Sequence, residues 1–219
     1  MKTVMICAGG PKAELVSFEH FRNMKEVVFI GADKGAIHLL QAGIIPDEAV
    51  GDFDSLSEEE YSLLTSKVTG VGPVSSEKDE TDTDLAIVKA LEYQPQQIYL
   101  TGVTGGRMDH FLAVVNSVYR FQSAPNNTVT FKILNKWNEI FILTPGVHSF
   151  KRNHHFPYIS FFAIQGPVSQ VSLIGMKYDV HNEMIEIGTS RFTSNELLSE
   201  DGSISFSSGI CLVIRSSDE

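Results

Sequence analysis

The chain has 219 residues, 42% of them hydrophobic and 20% charged, with 17 basic against 27 acidic residues and a formal net charge of -10. That length suits one large domain or two small ones. The acidic balance argues against a nucleic-acid binder, which needs a basic surface to displace counterions. Any polyanionic ligand must therefore be met by a few local cations, backbone N–H groups or metal ions. Cys7 and Cys211 lie inside apolar runs and read as buried thiols rather than a disulfide framework. Lys2 leads into Val4-Met5-Ile6-Cys7-Ala8, a run too short for a secretory signal or a membrane span. A cytoplasmic enzyme or binding protein is the expectation.

Val4 to Ala8 reads as a buried parallel strand that opens into Gly9-Gly10-Pro11. Leu15 to Met24 can form a helix. Val27 to Ile30 is a second strand, ending at Gly31-Ala32-Asp33-Lys34-Gly35, and a helix follows from about Ala36 to Ala42. A short strand then runs into Asp52 and Asp54, before a helix from Ser57 to Ser66. Leu85 to Leu91 is helical, with acids in its first turn that suit the positive end of the helix dipole. Gln97 to Thr101 is a strand that stops at Gly102. From Asp109 to Phe121, apolar residues at Phe111, Leu112, Val115, Val118 and Tyr119 mark one helix face. Alternating strands and helices predict a mostly parallel sheet covered on both faces, an α/β domain over residues 1–125. After Pro125 the pattern changes to short strand candidates: 128–135, 138–143, 158–163, 168–174, 184–187, 203–207 and 210–214. Pro145-Gly146 and Gly166-Pro167 punctuate them, which predicts an antiparallel β-sandwich over residues 126–219.

In an open parallel sheet, ligands bind beyond the carboxyl ends of the strands. The polar clusters fall at those ends: Gly9-Gly10, Asp33, Asp52 with Asp54, and Gly105 to Asp109. In an extended backbone Asp52 and Asp54 would point the same way. Two carboxylates about 4 Å apart repel by roughly 4 kcal/mol at an effective dielectric near 20. Either a divalent cation holds them, or they form a polar strand end followed by a serine cap. Lys78-Asp79-Glu80-Thr81-Asp82-Thr83-Asp84 is a second acidic cluster. Capping accounts for Asp84, and Lys78 is a solvated charge or a phosphate contact. In Gly105-Gly106-Arg107-Met108-Asp109-His110, the glycines permit close approach of backbone to ligand, and Arg107 offers a planar fork for phosphate oxygens. Asp109 either caps the following helix or meets a substrate. Neither G-x-x-x-x-G-K-[ST] nor a strand-linked G-x-G-x-x-G occurs, so a bound nucleotide would use a different cradle.

Gly51-Asp52-Phe53-Asp54-Ser55, Lys78-Asp79-Glu80-Thr81-Asp82, Gly105 to His110, Gly175-Met176-Lys177-Tyr178 and Ser194-Asn195-Glu196 occur in one order. Together they resemble the bacterial thiamine pyrophosphokinase family over nearly the whole chain. The resemblance implies a Rossmann-like domain followed by a β-sandwich, in a homodimer with active sites between subunits. It implies transfer of a diphosphoryl group from ATP to thiamine, with release of AMP. By position, Asp52, Asp54, Asp79 and Asp82 inherit the Mg²⁺ and phosphate role. Gly9, Asp33, Lys78, Gly105, Gly106 and Arg107 fall to ATP. Arg107 and Asp109 inherit substrate positioning, and Ser194 and Asn195 inherit contact with the thiamine pyrimidine. One departure stands out, because the family usually has Gly-Gly after the second-strand aspartate and here Lys34 precedes Gly35. Either lysine is strained at a position needing positive φ, or it supplies a cation to a phosphate. The rival readings are a metal-dependent nucleotide hydrolase and a non-catalytic thiamine or nucleotide sensor.

Overall fold

All five residues of Thr3–Cys7 (β1) are buried, as an apolar run with both faces covered should be. The computed structural model describes residues 2–69, 71 and 80–218, which form two units, Met1–Lys136 and Trp137–Glu219. In the first unit β1 is joined by Val27–Ala32 (β2), Glu48–Val50 (β3), Gln97–Thr101 (β4) and Thr130–Leu134 (β5). Every pairing is parallel and the order is β3-β2-β1-β4-β5. The helices are Glu19–Arg22 (α1), Gly35–Gln41 (α2), Glu58–Lys67 (α3), Asp82–Glu92 (α4) and Met108–Gln122 (α5). Met5, Cys7, Phe18, Phe21 and Leu39 share one core cluster. Ala36, Ile37, Ala49, Phe53, Leu64 and Val68 share another. Burial pushes the Cys7 thiol up to about 12, which leaves it a small hydrophobe rather than a nucleophile.

The ends of these elements follow from their caps. Ser57 and Glu60 close a reciprocal capping box at the start of α3. Thr81 caps α4, its hydroxyl accepting from Asp84 N. The expected helix from Leu15 to Met24 shrinks to α1, with a 3₁₀ turn at Lys12–Glu14 before it. Val16 N donates to Thr101 Oγ1 at 3.1 Å, which spends that amide outside any helix. On α5, Val115 and Val118 are buried as expected, joined by Val114, while Leu112 is exposed.

The second unit is antiparallel throughout its described pairings. One sheet sets Asn138–Leu143 (β6) beside Ser208–Ser216 (β12), which pairs with the first half of Tyr158–Ile174 (β8); Asn195–Glu196 (β10) also lies on β8. The other sets Gly146–Lys151 (β7) beside Asp201–Phe206 (β11), which pairs with the second half of β8; Val180–Ile185 (β9) lies on its other side. Strand candidates 158–163 and 168–174 are therefore one strand that turns a corner at Gln165 and Gly166, both at positive φ (64° and 148°). A register shift between Ser208 and Ile210 answers it on β12. Phe150, Phe161, Val171, Leu173, Ile204 and Val213 fill the space between the sheets. The sequence division near residue 125 falls between α5 and β5. Because β5 pairs in parallel with β4, from Gln97↔Thr130 to Leu100↔Ile133, the first unit runs on to Lys136.

Candidate active site

Strand order reverses beside β1, the kind of switch point beyond whose strand ends ligands bind in open α/β sheets. A cleft of about 880 Å³ lies there. Its walls are Ala8-Gly9-Gly10 after β1, Asp33 and Lys34 after β2, Asp52 and Ser55 after β3, and Gly102 to Thr104 with Gly106 and Arg107 after β4. Glu80 to Thr83, at the start of α4, complete the rim. The two central loops are locked to each other: Gly10 N donates to Gly102 O at 2.7 Å, and Ala8 N to Thr101 O at 2.8 Å. A Cβ on residue 10 would stand 2.4 Å from Gly102 O, so glycine is what lets the loops close on each other.

Asp33, Asp52 and Asp54 each place a carboxylate oxygen within 4.8 Å of the other two. The convergence of Asp52 and Asp54 was expected from strand alternation, and the structure achieves it another way. β3 stops at Val50, and Phe53 adopts φ 59°, in the left-handed region. Phe53 is buried against α2 and α3 residues, so the turn is pinned by its ring while the flanking acids stay at the surface. Asp54 N donates to Asp52 Oδ1 at 3.2 Å. Asp52 pushes the Asp54 carboxyl above its ordinary range, with desolvation, Asp33 and Asp82 adding to the effect. Asp33 sits at φ 49° and its amide donates to Val50 O at 2.8 Å, which ties the ends of β2 and β3 together. Ser55 Oγ donates to Asp33 Oδ2 at 2.7 Å. Asp33 Oδ1 is buried and, among the described residues, has no hydrogen-bond partner. A bare carboxylate oxygen beside two further carboxylates fits a hard divalent cation such as Mg²⁺, which takes oxygen ligands.

Asp82 opens α4 and lines the cleft with Asp52. Asp84 turns inward: it is buried, accepts from Thr81 Oγ1 at 3.1 Å, and pairs with Arg120 Nη2 at 2.8 Å. Lys78 and Asp79 lie outside the described residues. Arg107 lines the cleft with its fork engaged, Nη2 at 2.5 Å from Asp109 Oδ2 and Nε at 3.1 Å from Oδ1. That guanidinium holds the Asp109 carboxyl down at about 2. Gly106 faces the cleft, whereas Gly105 serves packing, since a Cβ there would meet Glu14 Cγ at 2.4 Å.

The departure at Lys34 has a steric answer. Lys34 has φ -58° and ψ -18°, ordinary helical values, and the left-handed residue is Asp33 before it. The glycine the fold demands is Gly35, where a Cβ would lie 1.8 Å from Cys7 O. One turn on, buried His38 sets Nε2 at 3.0 Å from Gly10 O. A carbonyl only accepts, so Nε2 carries the proton and α2 braces the Gly10 loop.

In the second unit Ser194 is exposed, at φ 53°, and its amide donates to Ser160 Oγ at 2.9 Å. Asn195 is buried and its amide group is fully engaged. Its Oδ1 accepts from Tyr178 N and Glu196 N, and its Nδ2 donates to Tyr178 O. Asn195 therefore ties β10 to the Gly175–Tyr178 turn, and Ser194 is the one of the two with a free face.

Residues 21–131 match the thiamin pyrophosphokinase catalytic domain, and residues 147–211 match the vitamin B1 binding domain of the same enzymes. The chain belongs to the thiamine pyrophosphokinase family. It is 38% identical to the thiamine pyrophosphokinase of Bacillus subtilis over 218 residues, covering 100% of both chains. The crystal structure of that enzyme superposes with a TM-score of 0.90 over 100% of both chains. The thiamin pyrophosphokinase structure from Geobacillus thermodenitrificans gives 0.87 at 33% identity, over 99% of this chain and 98% of that one. The family acts on ATP and thiamine. Each matched domain falls within one of the two units.

Sequence reasoning gave Asp33 to the nucleotide without grouping it with Asp52 and Asp54, beside which its carboxylate stands. The missing signal was the pairing of β2 with β3, which no local pattern reveals. His38 and Lys12 were not singled out at all, although both approach the cleft.

Proposed function

We propose that this chain transfers the diphosphoryl group of ATP to the hydroxyl of thiamine, giving thiamine diphosphate and AMP, with Mg²⁺ held by Asp33, Asp52 and Asp54. Family membership carries the reaction. The observation that supports the metal is the cluster of three carboxylates at the cleft, one oxygen of which has no partner among the described residues. When bound, Mg²⁺ would neutralise phosphate oxygens while the β-phosphorus is attacked.

The nucleophile is a weak primary alcohol, so positioning and charge neutralisation dominate. The Gly9-Gly10 loop offers backbone close to the phosphates, and Arg107, with Nε and one Nη2 hydrogen spent on Asp109, keeps its remaining N–H groups for their oxygens. Asp109, held near 2 by that arginine, is a poor proton acceptor, so its part is to set the Arg107 fork. Asp79 and Asp82 belong to the metal and phosphate side in this reading, and Lys78 is a further phosphate contact. Ser194 meets the thiamine pyrimidine, its backbone held by Ser160 Oγ, while Asn195 fixes the neighbouring Tyr178 and Glu196 backbone. We further infer a homodimer. The large apolar side chains that the second unit leaves in solvent, among them Val147, Ile174, Ile187 and Leu198, favour it. A cytoplasmic location completes the reading; among the described residues no helix is long and apolar enough to cross a membrane.

Incubation with Mg-ATP and thiamine tests the proposal. Thiamine diphosphate and AMP should appear together, and AMP only when thiamine is present. AMP without thiamine would make the chain a hydrolase, and thiamine monophosphate with ADP would refute diphosphoryl transfer. Asp54→Asn should keep the fold, read by circular dichroism, and lose most turnover; near-normal turnover would remove Asp54 from the metal site.

A further inference from the structure

Lys34 is a lysine the fold does not need. Its backbone is ordinary helix, so neither glycine nor any special residue is required there. Its side chain is half-buried and lines the cleft, and among the described residues it has no hydrogen-bond or ion-pair partner. The stem packs along the Gly9 loop, where a Cβ on Gly9 would lie 3.1 Å from Lys34 Cβ. An ammonium partly withdrawn from water with nothing to pair with costs stability, so a ligand is the reason to keep it. Its charge is felt inside the wall: burial first, then Lys34 and Lys12, hold the His38 imidazolium below its ordinary range. Lys12 already donates to Gln41 Oε1 at 3.0 Å. Arg107 is engaged by Asp109.

The geometry points to Lys34 as a phosphate-binding residue of this cleft, a cation that pairs only when a phosphate oxygen arrives. This rests on the diphosphoryl-transfer reading. The phosphate is either the one that leaves within AMP or the diphosphoryl group that moves to thiamine. Lysine acts here as a point charge on a flexible stem, a role that arginine can fill in part and methionine cannot.

Calorimetric binding of AMP, and separately of inorganic diphosphate, to the wild-type chain, Lys34→Met and Lys34→Arg tests the assignment. In Lys34→Met one of the two probes should bind about ten- to a hundredfold more weakly. The KM for ATP should rise in step while the KM for thiamine stays put, and Lys34→Arg should recover most of the loss. Loss with AMP places Lys34 at the leaving nucleotide, and loss with diphosphate places it at the transferred group. Both probes binding within twofold of wild type, in a variant that melts as wild type, overturns the proposal. So does a lower Mg²⁺ requirement with unchanged probe binding, which would make Lys34 a counter-charge to the acids. Should Lys34→Met fail to fold, Lys34→Gln is read by the same criteria. If wild type binds the probes but makes no thiamine diphosphate, the functional reading falls while the lysine site stands.

Discussion

Asp84→Asn separates structural from chemical acids within one helical turn. Asp84 and Asp82 both open α4, and only Asp82 lines the cleft. Asp84 is buried, with its side chain 11% exposed, and its partner Arg120 is 59% exposed. A hydrogen bond to a charged group is worth about 1.5–3 kcal/mol. With one partner largely in water, screening brings the loss to roughly 1–2 kcal/mol, and asparagine keeps an acceptor for either Thr81 or Arg120. At about 2–4 °C per kcal/mol for a chain of this size, the melting temperature should fall by roughly 2–8 °C. Turnover with Mg-ATP and thiamine, assayed well below the transition, should stay within about twofold of wild type. Asp82→Asn should invert the pattern, losing on the order of a hundredfold in kcat with the smaller melting shift. Thermal scanning by circular dichroism and a coupled AMP assay read both quantities. If Asp84→Asn melts as wild type and loses turnover, Asp84 is part of the chemistry and the reasoning from its burial is wrong.

Asp33→Asn should raise the Mg²⁺ concentration for half-maximal turnover by at least about tenfold, and an unchanged Mg²⁺ titration would confine Asp33 to its bond with Ser55. Stability should fall in alkali. Burial pushes the Cys7 and Cys211 thiols up to about 12 in the folded chain, against about 8.5 when unfolded. Between those values the folded chain holds more protons than the unfolded one, so stability is full below about pH 8.5 and is lost as pH climbs towards 12. Urea midpoints measured at pH 8 and pH 10, on wild type and on Cys7→Ala, check the sign: the drop should be smaller in the variant.

The alternation of strand and helix, the helix α3 and β4 itself were legible because each depends on contacts within a few residues. The sandwich was legible as a class, from its short strands and turns. The gathering of Asp33 with Asp52 was not, because it depends on which strands are neighbours. Nor was the corner in β8, since Gly166-Pro167 looks the same whether a strand ends or merely bends. The boundary moved for a related reason: Thr130 to Leu134 reads as one more short strand, and only its partner, β4, assigns it to the first unit. Asn195 shows the reverse limit. Its place in an ordered motif suggests ligand contact, while its hydrogen bonds show a residue already occupied.

Of the nine non-glycine residues at positive φ among the described residues, two stand where the acids gather. Asp33 and Phe53 both sit in the left-handed region, φ 49° and 59°. An aspartate tolerates that region better than most side chains, whereas a phenylalanine there is an outlier, and residues held in such regions cost on the order of 1–3 kcal/mol. Glycine would relieve either position. At 33 it would delete a carboxylate with a bare buried oxygen, and at 53 it would remove the ring that anchors the turn against Ile37 and Leu64. Burial of its ring explains Phe53, whereas nothing in the stability of the turn calls for a carboxylate at 33. Together the two turns bring carboxylates from the ends of two neighbouring strands to one point, an arrangement that fits the cation site proposed above.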